Sequence, residues 1–284
     1  AALYSYIGGD GGNDLTLTTT GTMVFTGTGA DDDITLQKVV IGGTDYLQVF
    51  IGATLAEQRI LSTITDVTIN GGDGSDTLTL DYSTAAISGL DVTFNGDAPT
   101  SGTGDSLIIN GGSFDSATYN MTGTGAGNVV FAGGSGNQTI SFTGLEPVTV
   151  TSSLSTVVIN VDALHVGTGT NVVEVLDSGT AGMTTVTASA TGATFESITF
   201  SNPTALLQIN GEDGAGVDVA DQVTITSLGS GFAAALDVDG QGGTDVITVT
   251  TNLNLGNGAV SGNLDLTAEA IQLNSASINT DGGT

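Results

Sequence analysis

Cysteine and tryptophan are missing from this chain, and it has only three prolines, one histidine and two basic residues, Lys38 and Arg59. Each shortage excludes something. Without cysteine no disulfide holds the fold, and thiols say nothing about redox compartment. Two cations against thirty acidic residues give a formal net charge of −28. Nucleic-acid binding, which is built on clustered lysine and arginine, is therefore not expected. The same balance opposes direct contact with anionic lipid headgroups. No apolar run approaches the ~20 residues of a membrane span, so no membrane insertion is expected. The N-terminal AALYSYIGG lacks the basic region and long apolar core of a secretion signal, so any signal is expected to have been removed or to lie elsewhere. An acidic chain with much glycine and threonine and almost no lysine reads as secreted, extracellular or cell-surface.

What is present is glycine, 44 residues in 284, with positive mean hydropathy. Valine, isoleucine, leucine and phenylalanine recur at strand spacing throughout, which disordered chains do not show. Glycine and carboxylate turns lead into short strands that alternate apolar residues with threonine. The clearest is Ile69 to Leu80, INGGDGSDTLTL, and looser versions stand at residues 7–17, 27–36, 102–109, 210–225 and 239–249. Asparagine takes the acidic place at Asn128, Asn137 and Asn171. The Asn-Gly and Asp-Gly pairs at Asn70, Asn95, Asn110, Asn210, Asp239 and Asn257 are expected to supply the positive φ of tight corners.

Lys38–Ile41 and Tyr46–Phe50, joined by Gly42-Gly43-Thr44-Asp45, read as a hairpin or corner. Ala53 to Leu61, ATLAEQRIL, has the only weak helical character and is expected to be one helical turn or a loop. Residues 144–148 are a candidate irregular link within one continuous β-rich repeat domain over 1–284. Near the end, apolar phase moves from Leu264, Leu266, Ala268 and Ala270 to Ile271 and Leu273, which marks a bulge or corner. The acidic turns recur at spacings near ~20 to 25 or about double that, within the range of repeat architectures. The expected fold is all-β, a β-solenoid (β-helix) of short strands with Gly/Asp/Asn turns. Tandem β-sandwich domains are the alternative.

Gly71 to Thr79, GGDGSDTLT, resembles the calcium-binding RTX nonapeptide GGxGxDxUx. The match is isolated, with a partial second copy at Gly240 to Thr248. Residues 195–211, 231–250 and 262–284 resemble repeat modules of very large secreted bacterial surface proteins, of the β-helical, hemagglutinin-like adhesin type. The resemblance covers roughly residues 140–284.

Calcium is the expected cofactor, since it takes six to eight oxygens and a glycine-rich turn offers carboxylates and carbonyls together. Asp73 and Asp76 come first, followed by Asp10 and Asp14, Asp31 and Asp33, Asp97 and Asp105, Asp218 and Asp221, and Asp239 and Asp245. The competing reading is that aspartates bond to their own turn backbone. Thr-x-Thr pairs, such as Thr77/Thr79 and Thr248/Thr250, carry a weaker ice-binding reading against their ordinary use on solvent faces of strands. Polysaccharide cleavage would need a carboxylate pair, but among thirty acidic residues a pair carries little information. His165 stands alone, so no enzymatic role is expected. Asn120 and Asn137 open glycosylation sequons.

The expected role is an extracellular structural protein, stabilised by calcium, that self-associates into a surface layer, sheath or filament. Its partners would be copies of itself, joined head to tail at sheet ends that no capping helix covers. The alternative is an adhesive or stalk module of a giant surface protein that binds glycan or cells.

Overall fold

The computed structural model describes residues 2–6, 15–87, 89–97, 104–161, 172–188, 195–211, 220–256, 262–274 and 276–280. They form an all-β structure with two large mixed sheets, one of twelve strands and one of ten, in which most pairings are parallel. The only helical element among them is a 3-10 turn at Leu61–Thr63. Strand sequences such as ITDVTIN and DVTFN explain the choice, since β-branched and aromatic residues alternate with polar ones and favour a pleated, half-buried surface.

Strands β1 (Ala2–Tyr6) and β2 (Leu15–Thr19) pair with each other alone. From there the chain steps back and forth between the large sheets. β3 (Gly21–Thr26) begins the ten-stranded sheet, and β4 (Asp33–Ile41), β5 (Thr44–Ile51) and β6 (Thr54–Ile60) begin the twelve-stranded one. β7 (Ile64–Asn70) and β9 (Asp91–Asn95) return to the first, and β8 (Thr77–Asp81) and β10 (Asp105–Asn110) to the second. β11 (Ser113–Gly123), β12 (Ala126–Ala132) and β13 (Gln138–Thr143) then stay in the ten-stranded sheet. β14 (Leu145–Val150) crosses and β15 (Ser153–Asn160) crosses back. β16 (Val172–Asp177), β17 (Met183–Ala188) and β18 (Ile198–Ser201) stay in the twelve-stranded sheet. Single crossings resume with β19 (Leu206–Asn210), β20 (Gln222–Ile225), β21 (Ala235–Asp239) and β22 (Val246–Val249). β23 (Leu253–Asn254) pairs with β26 (Ile278–Asn279), while β24 (Leu264–Thr267) and β25 (Ala270–Leu273) end the ten- and twelve-stranded sheets.

Three meanders interrupt the alternation, and the two internal ones run backwards. In β11–β12–β13 the last strand pairs with the preceding β9, and the first pairs with the following β15. In β16–β17–β18 the last pairs with β14 and the first with β20. In β4–β5–β6 the first strand pairs with the following β8, and β6 is left at the sheet edge. Setting aside the extra strands that meanders add, both sheets hold the same number.

Inward side chains from both sheets form one hydrophobic cluster, including Leu36, Ile69, Leu78, Phe94, Tyr119, Phe131, Phe142, Ile159, Phe200 and Ile247. Several sequence expectations are met. Lys38–Ile41 and Tyr46–Phe50 form a hairpin, with Ile41 opposite Thr44. The phase change expected between Ala270 and Ile271 goes with a corner just before it, at Ala268-Glu269 between β24 and β25. Residues 144–148 are irregular, with a cis Glu146–Pro147 peptide and a register shift against β10, yet they stay within a sheet.

Two expectations are corrected. Thr54–Ile60 is a strand, held by its antiparallel bonds to β5, with the 3-10 turn only after it. Among the Asn-Gly and Asp-Gly pairs, Gly111 has positive φ, at 73°, but Gly71, Gly96, Gly211 and Gly240 do not. Those four glycines serve a different purpose, described below. Asn257-Gly258 lies outside the described residues.

Candidate functional site: a buried column of carboxylates

Among the described residues, several crossings from the ten- to the twelve-stranded sheet carry an inward carboxylate just before the new strand. Strand alternation puts it there. In Asp32-Asp33-Ile34-Thr35-Leu36 the residues Ile34 and Leu36 point inward, so Asp32 shares their side, while Asp31 and Asp33 are exposed. The same acidic-x-apolar-x-apolar phase places Asp76 before Leu78 and Leu80, Asp105 before Leu107 and Ile109, and Glu196 before Ile198 and Phe200. It also places Asp221 before Val223 and Ile225, and Asp245 before Ile247 and Val249, all of them buried.

These carboxylates are joined through backbone. The Asp32 amide donates to Asp76 Oδ1 at 2.8 Å, and the Asp76 amide to Asp105 Oδ1 at 2.7 Å. In a second run the Asp221 amide donates to Asp245 Oδ1 at 2.9 Å, and the Asp245 amide to Glu269 Oε2 at 2.8 Å. Each carboxylate thus satisfies the corner amide of the strand layer before it, a donor that the parallel ladder leaves over. Between the runs, Glu146 fits the sequence pattern but is exposed, because the register shift at β14 seats Leu145 in the interior instead.

The second oxygen explains the glycines. A Cβ added to Gly71, Gly96, Gly211 or Gly240 would lie 2.5–2.6 Å from Oδ2 of Asp76, Asp105, Asp221 and Asp245 respectively. Gly27 stands the same way to Asp32, at 2.7 Å. Only a residue without a side chain shares the corner with a carboxylate. Where asparagine precedes the glycine, at Asn70, Asn95 and Asn210, it has a separate job on the outer face, while Gly27 and Gly240 follow Thr26 and Asp239. Asn95 Nδ2 donates to Asn70 Oδ1 at 2.8 Å, and Asn210, Asn160, Asn120 and Asn128 form a separate ladder of amide bonds of 2.7–2.9 Å. The sequon residue Asn120 is therefore engaged through both its amide nitrogen and its oxygen.

Electrostatics follow from burial. Oδ2 of Asp76 and of Asp105 are buried with no hydrogen-bond partner. Desolvation pushes both carboxyls up from the ordinary aspartate range, and neighbouring carboxylates add to the effect. Burial pushes Glu196 up to about 7, with like charge from Glu146 contributing. Glu269 moves the other way, because the backbone amide of Asp245 bonds its charged form.

The sequence-predicted metal residues divide accordingly. Asp76, Asp105, Asp221 and Asp245 lie in the column. Asp31, Asp33, Asp73 and Asp97 are exposed, Asp239 is half-buried, and Asp10, Asp14 and Asp218 lie outside the described residues, as does His165. The expected pairing within one turn gives way to pairing between layers. Asp76 meets the Asp32 and Asp105 corners, while Asp73 faces solvent and Asp31 Oδ1 accepts the Ser75 amide at 2.9 Å. Asp32, Glu196 and Glu269 were missed. Carrying the alternation back two residues from each strand's first inward apolar residue would have found all three.

Among the described residues, no group of three or more His, Cys, Asp or Glu side chains is placed to hold a metal ion. A cleft of about 340 Å³ between residues 227–233 and 251–256 is lined by serine, threonine, asparagine, glycine and apolar side chains, with no carboxylate. No protein-family model, curated protein or solved structure matches the chain.

Proposed function

We propose that the chain is a β-solenoid module of an extracellular structural assembly, a surface layer, sheath or filament in which copies associate through their sheet ends. The solenoid reading is supported by the stepwise alternation between two sheets, the parallel in-register pairing and the repeated corner carboxylate. The observation that carries the functional reading is at the edge formed by β24 and β25. Ile271 and Leu273 hold the inward phase of the core positions in β22, with Ile247 opposite Ile271 and Val249 opposite Leu273, yet they are 47% and 52% exposed. An edge with free backbone groups and uncovered core-phase side chains favours another β-layer against it.

Calcium belongs to this reading as a neutraliser of a −28 chain. The buried Asp32, Asp76, Asp105 and Asp245 each give one oxygen to a backbone amide, so the exposed Asp31, Asp33, Asp73 and Asp97 would be the ones to meet the ion. Electron microscopy and light scattering of the protein with and without calcium test the proposal. Ordered assemblies, or a mass rising with concentration, are expected. A monodisperse monomer in both conditions rejects it.

A second reading is a stalk or adhesive module within a longer polypeptide. The same exposed Ile271 and Leu273 favour it, because a further β-layer of one continuous chain would cover them equally well. Expression with the flanking coding sequence would then bury both side chains without any change in oligomeric state.

A further inference from the structure

At the opposite end of the twelve-stranded sheet, β6 combines an open edge with a charge pattern found nowhere else in the chain. Among the described residues its outer side has no strand neighbour, and every residue from Thr54 to Ile60 except Glu57 is exposed. Both basic residues of the protein, Lys38 and Arg59, fall in the β4–β5–β6 meander, against Asp33, Asp45 and Glu57. With two cations against three carboxylates the meander is close to neutral, so two copies of it meet with little net repulsion. It also carries four of the exposed large apolar side chains, Val40, Ile41, Leu55 and Ile60.

The strand's own order is self-complementary. Glu57 lies opposite Val49 of β5 and Arg59 opposite Leu47, both fully buried, so Glu57 and Arg59 point to the inner side of the sheet. They pair with each other at 2.8 Å, and the guanidinium reaches the Thr22 carbonyl of the other sheet at 3.3 Å. Gln58, between them, points outward and ends a row of amides. Gln37 Nε2 donates to Gln48 Oε1, and Gln48 Nε2 to Gln58 Oε1, at 3.2 and 2.6 Å.

We infer that β6 is the docking edge for β6 of a second copy, paired antiparallel about a two-fold axis at Gln58. Directly opposed residues in an antiparallel pair share a face. A pair centred on Gln58 sets Glu57 against Arg59 of the second copy and Arg59 against its Glu57, both inward. The outward amide row runs on from Gln58 to Gln58, and Ala56 meets Ile60. A parallel partner would set Glu57 against Glu57 and Arg59 against Arg59 in register, and inward charge on an edge strand is a recognised means of refusing unmatched strands. The edge thus rejects β25, with its apolar Ile271 and Leu273, and accepts its own copy. This inference rests on the self-association reading but replaces a head-to-tail joint at this end with a head-to-head one.

Sedimentation of charge variants tests it. The wild type is expected to reach twice the monomer mass as concentration rises. Arg59→Glu alone and Glu57→Arg alone are each expected to stay monomeric at this end, while a mixture of the two forms a heterodimer. The double variant E57R/R59E is expected to recover the homodimer, which also shows that the single variants failed by charge and not by misfolding. Because the protein has no cysteine, Gln58→Cys supplies a sole thiol on the axis and is expected to form a disulfide-linked dimer on mild oxidation. Ala56→Cys, whose opposite is Ile60, is not. If oligomers form but are indifferent to both single charge variants, the β6 joint is wrong and self-association stands. A wild type that remains monomeric at every concentration overturns both.

Discussion

Glu196 is 5% exposed, and its carboxyl is held at about 7 by burial, with Glu146 adding like charge. A group whose folded pKa lies above its unfolded value gives stability that is fully present below the unfolded pKa and is lost as pH rises through the folded one. The melting temperature is therefore expected to fall between pH 5 and 8, against the usual trend for carboxylates, and Glu196→Gln is expected to flatten that fall. Thermal melts of both proteins across the interval check it, and a wild-type profile that rises with pH rejects it. The corner glycines give a second test at this scale. Gly71→Ala puts a methyl group 2.5 Å from Asp76 Oδ2 and 3.1 Å from its Cβ, an overpacking expected to cost roughly 1–3 kcal/mol in urea unfolding. Gly42→Ala is a useful contrast. Nothing lies within 4 Å of its Cβ, so any loss there reflects only its φ of +59°.

Within elements, the outer asparagine ladder is the most exposed to a single change. Asn160 donates to Asn120 and accepts from Asn210, so Asn160→Ala breaks two bonds at once. At about 0.5–1.5 kcal/mol for each bond, a loss of roughly 1–3 kcal/mol in urea is expected, with native circular dichroism retained. Legibility from sequence also divides at this scale. Short strands, the hairpin at Gly42-Gly43 and, to within two residues, the corner before β25 were readable, because alternation and turn chemistry act locally. The carboxylate column was half readable, since the acidic residues stood out but their inward phase had to be counted from the strand that follows. Thr54–Ile60 was not readable as a strand. Its inward positions hold Glu57 and Arg59 at a sheet end, so the apolar alternation that marks a strand is missing there. The meanders were hidden for another reason. Every strand offers the same half-apolar pattern, and nothing local says whether β11 adjoins β9 or stands three places away.

For the whole molecule, the surplus of negative charge sets the response to ions. With a Debye length of about 10 Å at 0.1 M salt and 3 Å at 1 M, sodium chloride is expected to raise the melting temperature by several degrees. Millimolar calcium is expected to do so at far lower ionic strength, with EDTA reversing it. Equal effects of calcium and of sodium at matched ionic strength would reduce calcium to general screening. The backward meanders, finally, bear on the order of assembly. A chain emerging N-terminus first completes β9 and then makes β11, which in the finished sheet does not touch β9. The two places between them are filled by β12 and then β13, so the edge of β9 stays bare until β13 arrives, some twenty residues further on. The same wait recurs at β16, whose link back to β14 comes only with β18. Winding therefore cannot proceed as steady layer-on-layer growth. It is expected to pause twice, at about Gly123 and about Asp177, with a sheet edge bare and open to a wrong neighbour.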